Sequence, residues 1–163
     1  MERLDAAIID FTEATYDLGR SDEDWLPEIV KCGLPILDQG LGVAAVQYGR
    51  HPEGGNVEIQ RIHVGAGPSD FPERHMAALG AMPPEMLREQ AQSGQATTMS
   101  ASQAHHPEAL RVYTDHVDYC ADVFGLTAVD CKGHGVAIVA PLPEVTTLSP
   151  HESERWQMLA AHL

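Results

Sequence analysis

Basic residues are scarce in this chain: ten Lys and Arg stand against 24 Asp and Glu, a formal charge of −14 over 163 residues. A phosphate backbone is bound by clustered Lys and Arg. Direct contact of these residues with nucleic acid is therefore excluded, and an anionic membrane surface is equally disfavoured. Cysteine is scarce too. Cys32, Cys120 and Cys131 are odd in number and irregularly spaced, which excludes a disulfide framework and fits free thiols in a reducing cytosol. No apolar run reaches the roughly 20 residues that a membrane-spanning helix needs. The opening MERLDAAIID lacks the basic-then-apolar order of a signal peptide, and the expected location is the cytoplasm.

Catalytic signatures are missing as well. Ser100 and Ser102 sit outside any Gly-x-Ser-x-Gly elbow, and no Gly-Lys-Ser/Thr phosphate loop occurs. Gly65-Ala-Gly-Pro68 lacks the further Gly of a dinucleotide fingerprint. The acids are scattered over helix starts and polar faces, where solvation accounts for them. The chain is not expected to be an enzyme.

What is present suits one globular domain over residues 1–163, with 44% apolar and 21% charged residues. Leu4, Ile8, Phe11 and Leu18 lie near one helical face of an N-terminal helix within residues 1–20, which Gly19-Arg20 breaks. Ser21 and Asp24 give a capping signal for a second helix. That helix carries Trp25, Leu26, Ile29, Val30, Leu34 and Leu37, a broad face suited to packing on a sheet, and Pro35 is expected to distort its last turn. Leu41–Tyr48 and Val57–Val64 alternate as strands, with the hairpin chemistry of 51–56 between them. In the second strand Val57, Ile59, Arg61 and His63 share one phase, and Glu58, Gln60, Ile62 and Val64 the other. Neither phase is uniformly apolar, so its facing stays open.

Asp70–Met82 and Pro84–Gln92 read as helices, the second stopped by Ser93-Gly94. Ala96–Ser102 reads as a short edge strand, and Pro107–Cys120 as a helix. Gly125–Cys131 and Gly135–Leu142 form a hairpin around Lys132-Gly133-His134. Ser149, Pro150 and Glu152 then open a last helix over residues 149–163, with an N-cap, a first-position proline and a capping-box acid. Trp156, Leu159, Ala160 and Leu163 make its apolar stripe. The stripe reaches Leu163 with no Gly or Asn cap and no basic residue in its last turn, so this helix is expected to continue. The order predicts an α+β fold: a single antiparallel sheet of about five strands with helices packed on it.

This order and the closing segment resemble a GAF domain, the PAS-like small-molecule sensor fold. The resemblance is carried from Phe124 onward, where VDCKGHGVAIVAPLPEV leads into LSPHESERWQMLAAHL. The segment DEDWLPEIVKCGLPILDQGLGVAAVQY is also similar to the GAF helix entering its first strand. Such domains stand before LuxR-type helix-turn-helix modules. The resemblance implies a sensory domain that binds a small molecule and signals through its last helix, and a homodimer is expected from that helix's apolar stripe. It would meet DNA only through a C-terminal domain outside this chain. The Asn-Lys-x-Phe-Asp pattern of cyclic-nucleotide-binding GAF domains is absent, and no phytochrome-like cysteine setting for a bilin is present. No cofactor is identified.

In a GAF-like architecture the ligand lies between the sheet and its connecting helices. The residues those segments would contribute are Phe71, His75, Met76, Tyr113, His116 and Tyr119, a mix of apolar bodies and polar tips. Trp156, Leu159, Ala160 and Leu163 would pack on the first helix or pair with their copies in a dimer. His63 and His75 flank the Gly-Ala-Gly-Pro loop and are candidates to line a pocket. Two other readings compete: a stand-alone interaction domain with no ligand, and a metal or haem sensor. The metal reading would join His116 and Cys120, four apart on one predicted helix, to Cys131 and His134 of the hairpin turn. No single metal site is assigned.

The regulator reading is tested by the open reading frame. It should run past Leu163 into about 60 or more residues with a basic recognition helix. A stop codon immediately after Leu163 would leave a free-standing binding module instead.

Overall fold

The structure is a computed structural model, and it describes residues 2–17, 19–50, 57–92 and 94–163. Among them the order is α1 (Glu2–Thr15), α2 (Asp22–Leu37), β1 (Val43–Arg50), β2 (Val57–Gly65), α3 (Phe71–Ala81) and α4 (Pro84–Gln92). There follow β3 (Gln95–Thr98), a short 3-10 helix (Ala101–Ala104), α5 (Ala109–His116), β4 (Asp122–Val129), β5 (Gly135–Leu142) and α6 (Pro150–Ala160). Leu18, the hairpin linker 51–56 and Ser93 lie outside the described residues. No helix among those described is long and apolar enough to cross a membrane.

Local signals set the helix starts. At α6, Glu152 N–H donates to Ser149 Oγ (3.3 Å) and Ser149 N–H donates to Glu152 Oε2 (2.8 Å), the reciprocal capping box. Ser21 caps α2 through the Asp24 N–H. Pro35 does not end α2, which runs to Leu37 and closes with Asp38 N–H bonded to Leu34 O at 3.1 Å. The helix expected over Pro107–Cys120 is shorter. It ends at His116, because Val117 leaves helical geometry at φ −109, ψ 71. Arg74 of α3 accounts for the stop: its Nη1 donates to His116 O (3.0 Å) and to the Asp118 carboxylate (2.7 Å).

The strands form one antiparallel sheet in the order β2-β1-β5-β4-β3, the α+β architecture expected from the sequence. Helices cover both of its faces. On one, Val43, Ala45, Val136, Ile138 and Leu126 pack with Phe11 of α1, Ile29 and Val30 of α2, and Leu159 and Ala160 of α6. On the other, Ala44 and Val123 pack with Phe71 and Ala78 of α3, Met86 of α4 and Tyr113 of α5. Successive residues of a strand thus enter different cores. That is why β1 reads as a nearly unbroken apolar run instead of a clean alternation.

A β-bulge settles the facing of β2. Gln47 pairs with Arg61 and Tyr48 with Ile59, so Gln60 is the extra residue. It shifts the phase by one, and the two-face division read from strict alternation does not hold. Ile59 then lies opposite Tyr48, and Ile62 and Val64 lie opposite Val46 and Ala44. The apolar residues of both sequence phases end on the same side.

Asp122 joins the sheet to the loops at one end. It is fully buried and accepts from Ser100 N–H (3.0 Å), Ser100 Oγ (2.5 Å), Val123 N–H (2.8 Å) and Thr146 N–H (3.1 Å). Thr98, also fully buried, donates its hydroxyl to Thr146 O at 3.2 Å. The turn after β3 and the segment leading to α6 are therefore held by one carboxyl group. Asp122→Ala strands several of these donors, and urea unfolding should show a loss of about 3 kcal/mol. A change under about 1 kcal/mol would mean that water replaces the carboxylate at no cost.

Candidate functional site

The second core is incompletely filled. Between the sheet and α3, α4 and α5 lies a cavity of about 140 Å³. Its floor is the face of the sheet that the β2 bulge completes: Val46 and Tyr48 of β1, Val57 and Ile59 of β2, Val123 and Gly125 of β4, and Ala137 and Val139 of β5. Its roof is His75 and Leu79 of α3, Leu87 of α4, Met99 and Ser102 beside the 3-10 helix, and Tyr113 of α5. Gly125 and Ala137 occur where larger side chains would fill the space. Among the described residues, no Asp, Glu, Lys or Arg lines it.

The wall also carries polar side chains: Gln90, Gln95, Thr97 and Thr127 line it beside Tyr48, Ser102, His75 and Tyr113. His75 and Tyr113 are both fully buried, and His75 Nδ1 is 2.7 Å from the Tyr113 hydroxyl. Their rings meet edge-on, 5.7 Å between centroids, and Phe71 adds a tilted contact to His75 at 5.6 Å. The Nε2 of His75 has no partner among the described residues. Burial pushes the His75 imidazole down from 6.5 to about 4, so the ring is neutral near pH 7. Burial likewise raises the Tyr113 phenol well above its ordinary value and the Tyr48 phenol to about 12.

The six residues singled out from the sequence separate in the structure. His75 and Tyr113 line the cavity and touch each other. Phe71 packs in the same core beside His75 without lining the cavity. Met76 is one position round α3 and points outward, 39% exposed. His116 ends α5, with its Nδ1 2.9 Å from Val112 O. Tyr119 lies past that helix end, its ring under the Arg74 guanidinium at 5.6 Å. His63 pairs with Ala45, whose side chain enters the opposite core, and is not among the cavity residues.

The four residues of the metal reading are not brought together. His116 and Cys120 share no helix, since α5 stops at His116. Cys120 and Cys131 flank the eight-residue strand β4, which separates them by roughly 25 Å. The α6 stripe is divided between burial and partial cover. Leu159 and Ala160 are buried in the first core, while Trp156 and Leu163 pack against it part-exposed. Trp156 meets the Phe124 ring at 5.0 Å, and Tyr16, just past α1, hydrogen-bonds His162.

The buried imidazole has a pH signature. Unfolded, His75 takes a proton near the ordinary value of 6.5; folded, it does so only near 4. The unfolded state thus binds more protons between those limits, and stability falls as pH drops from 6.5 towards 4. Below the folded value both states are protonated and the loss levels off. The full effect is on the order of 3 kcal/mol. Urea midpoints across this range should show a shallower pH slope in His75→Leu than in the wild type, and equal slopes would contradict a buried neutral ring.

No family model and no curated protein matches this sequence. Solved structures do match its fold. One is CepR2 from Burkholderia cenocepacia, an N-acylhomoserine-lactone-dependent LuxR-family transcription factor, which is 13% identical with a TM-score of 0.61. The match covers 99% of this chain and 91% of that one. Another is the phycoerythrobilin-bound GAF domain of a cyanobacterial phytochrome, also 13% identical, with a TM-score of 0.53 over 98% of this chain and 91% of that one. One is a transcription factor and the other a GAF domain, and neither is an enzyme by name. The chain has a GAF/PAS-like fold, shared with a LuxR-family regulator.

Proposed function

We propose that this chain is the sensory domain of a LuxR-type transcriptional regulator, and that it binds a small molecule in the cavity between its sheet and α3, α4 and α5. The observation that carries the reading is the cavity itself: a largely apolar void in one core, kept open by Gly125 and Ala137. A ligand that fills this space buries apolar surface and stabilises the folded protein on binding. The kinship of fold with CepR2, whose name makes it lactone-dependent, supports a ligand-responsive role.

Signal passage follows from the same proposal. Met99 and Ser102 line the cavity, and the turn carrying them is fastened through Thr98, Ser100 and Asp122 to Thr146. Thr146 precedes the Ser149 cap of α6. A ligand that favours one placement of this turn would bias where α6 begins and how it directs whatever follows. Homodimer formation belongs to this reading, and so does a cytoplasmic location. At a formal charge of −14, contact with DNA would fall to a further domain.

Native mass spectrometry of protein purified from its source cells should show a retained small molecule. Ala137→Leu fills the cavity and should abolish retention while melting within about 5 °C of the wild type. A wild type that retains nothing, and whose NMR spectrum is unmoved by the organic extract of the same cells, would remove the sensor reading.

A further inference from the structure

β3 ends the sheet, and among the described residues no strand lies beyond it. Met99 N–H, just past the strand, bonds Val123 O of β4 at 2.9 Å. By the alternation of an antiparallel ladder, Gln95, Thr97 and Met99 turn their main-chain groups towards β4. Those of Ala96 and Thr98 then face outward, along the free edge. An edge carbonyl is left to solvent or to a covering side chain. Here both are covered. Ser102 Oγ donates to Thr98 O at 3.2 Å, and Gln157 Nε2 of α6 donates to Ala96 O at 3.1 Å.

The side chains alternate as the carbonyls do. Gln95, Thr97 and Met99 line the cavity, whereas Ala96 is buried in the opposite core with Leu159 and Ala160 of α6. One short strand thus walls the cavity on one face and carries α6 on the other. The cavity floor reaches the same strand directly, because Ala137 pairs with Thr127 and Thr127 with Gln95. The fastening through Asp122 and Thr146 meets the chain before α6 begins. Gln157 acts about two turns inside the helix.

We propose that α6 reads the state of the cavity through the free edge of β3, and that Gln157 is the positioning residue that makes the coupling. This rests on the reading that the cavity takes a ligand, and deepens it by naming the contact that regulates the helix. A molecule that displaces Gln95 or Thr97 shifts β3 against β4. The Ala96 carbonyl moves with the strand, and the Gln157 amide draws α6 after it. Asp122 holds the loop ahead of the helix while Gln157 holds its middle, so the expected motion is a swing of α6 about its start. The coupling is reciprocal, and loosening α6 changes how readily β3 yields to whatever fills the cavity.

The test fills the cavity without any ligand, through Ala137→Leu, and reads α6 by amide hydrogen exchange and amide chemical shifts. The filling is made in the wild type, in Gln157→Met and in Gln157→Lys. Gln157→Met keeps the length and the helix propensity but has no donor, whereas Gln157→Lys keeps an N–H donor. In the wild type and in Gln157→Lys, filling should change exchange of the Met158–Ala160 amides about fivefold, the factor that one hydrogen bond supports. In Gln157→Met the change should fall below about twofold, while the methyl shifts of Val139 and Leu87 beside the cavity still respond. An unchanged α6 response in Gln157→Met, or no α6 response in the wild type, overturns the coupling. Loss of the response in Gln157→Lys as well assigns it to packing and overturns the role of the bond. None of these outcomes touches the ligand reading, which retention of a small molecule by the native protein decides on its own. Should Ala137→Leu not fold, Gly125→Ala supplies a smaller filling, since its Cβ meets nothing closer than Thr97 O at 3.9 Å.

Discussion

The carboxylate of Asp122 is the contact on which the connection between the two cores depends. It opens β4, it is sealed from water, and it gathers donors from the turn after β3 and from the segment ahead of α6. A buried carboxylate is tolerated only when its oxygens are satisfied. Here the satisfaction comes from main-chain N–H groups of loops that have no regular ladder to join. The requirement acts in both directions: the carboxylate fixes the loops, and the loops supply the donors that let it be buried. The cavity wall at Met99 and Ser102 and the start of the last helix are therefore parts of one hydrogen-bonded unit.

The cavity is a product of the same architecture. A sheet covered on both faces needs apolar residues in both phases of its central strands, and β1 and β5 supply them. The first core closes tightly around Phe11, Ile29, Val30 and Leu159. The second has its helices α3, α4 and α5 meeting a floor that includes Gly125 and Ala137, and these helices do not descend to fill the space. They are held from outside. Arg74 spans Asp70, His116 O and Asp118, and it clamps α3 to the end of α5. The His75–Tyr113 hydrogen bond ties the same two helices on the cavity side. These contacts join α3 to α5 at two points beside the cavity.

Much of the fold was legible because its signals are local. The capping box at Ser149 and Glu152 and the cap at Ser21 act within one turn of helix, so a reader of the sequence meets every atom involved. The order of elements followed from changes of hydrophobic period, and the hairpin of β4 and β5 from its short Gly-bearing turn. The end of α5 was not legible. What stops it is Arg74, 42 residues away, reaching the carbonyl of His116. The facing of β2 was hidden for a related reason: a bulge at Gln60 is a property of the pairing with β1 and leaves no mark in β2 alone.

The candidate site divides along the same line. The GAF-like architecture put the ligand between the sheet and its connecting helices, and two of the six residues nominated from those segments, His75 and Tyr113, line the cavity and touch each other. The sheet residues of the floor went unrecognised, because an alternating strand buried on both sides gives no sign of which side is hollow. Met76, His116 and Tyr119 looked equivalent to the others, since a sequence shows a side chain's chemistry and not its direction. The sequence by itself determined the class of fold and the helix starts, which rest on short-range periodicity and capping. Only the tertiary structure decided where the interior is left unfilled and which buried nitrogen lacks a partner. Both depend on how distant segments fail to meet, and that is not written in any one of them.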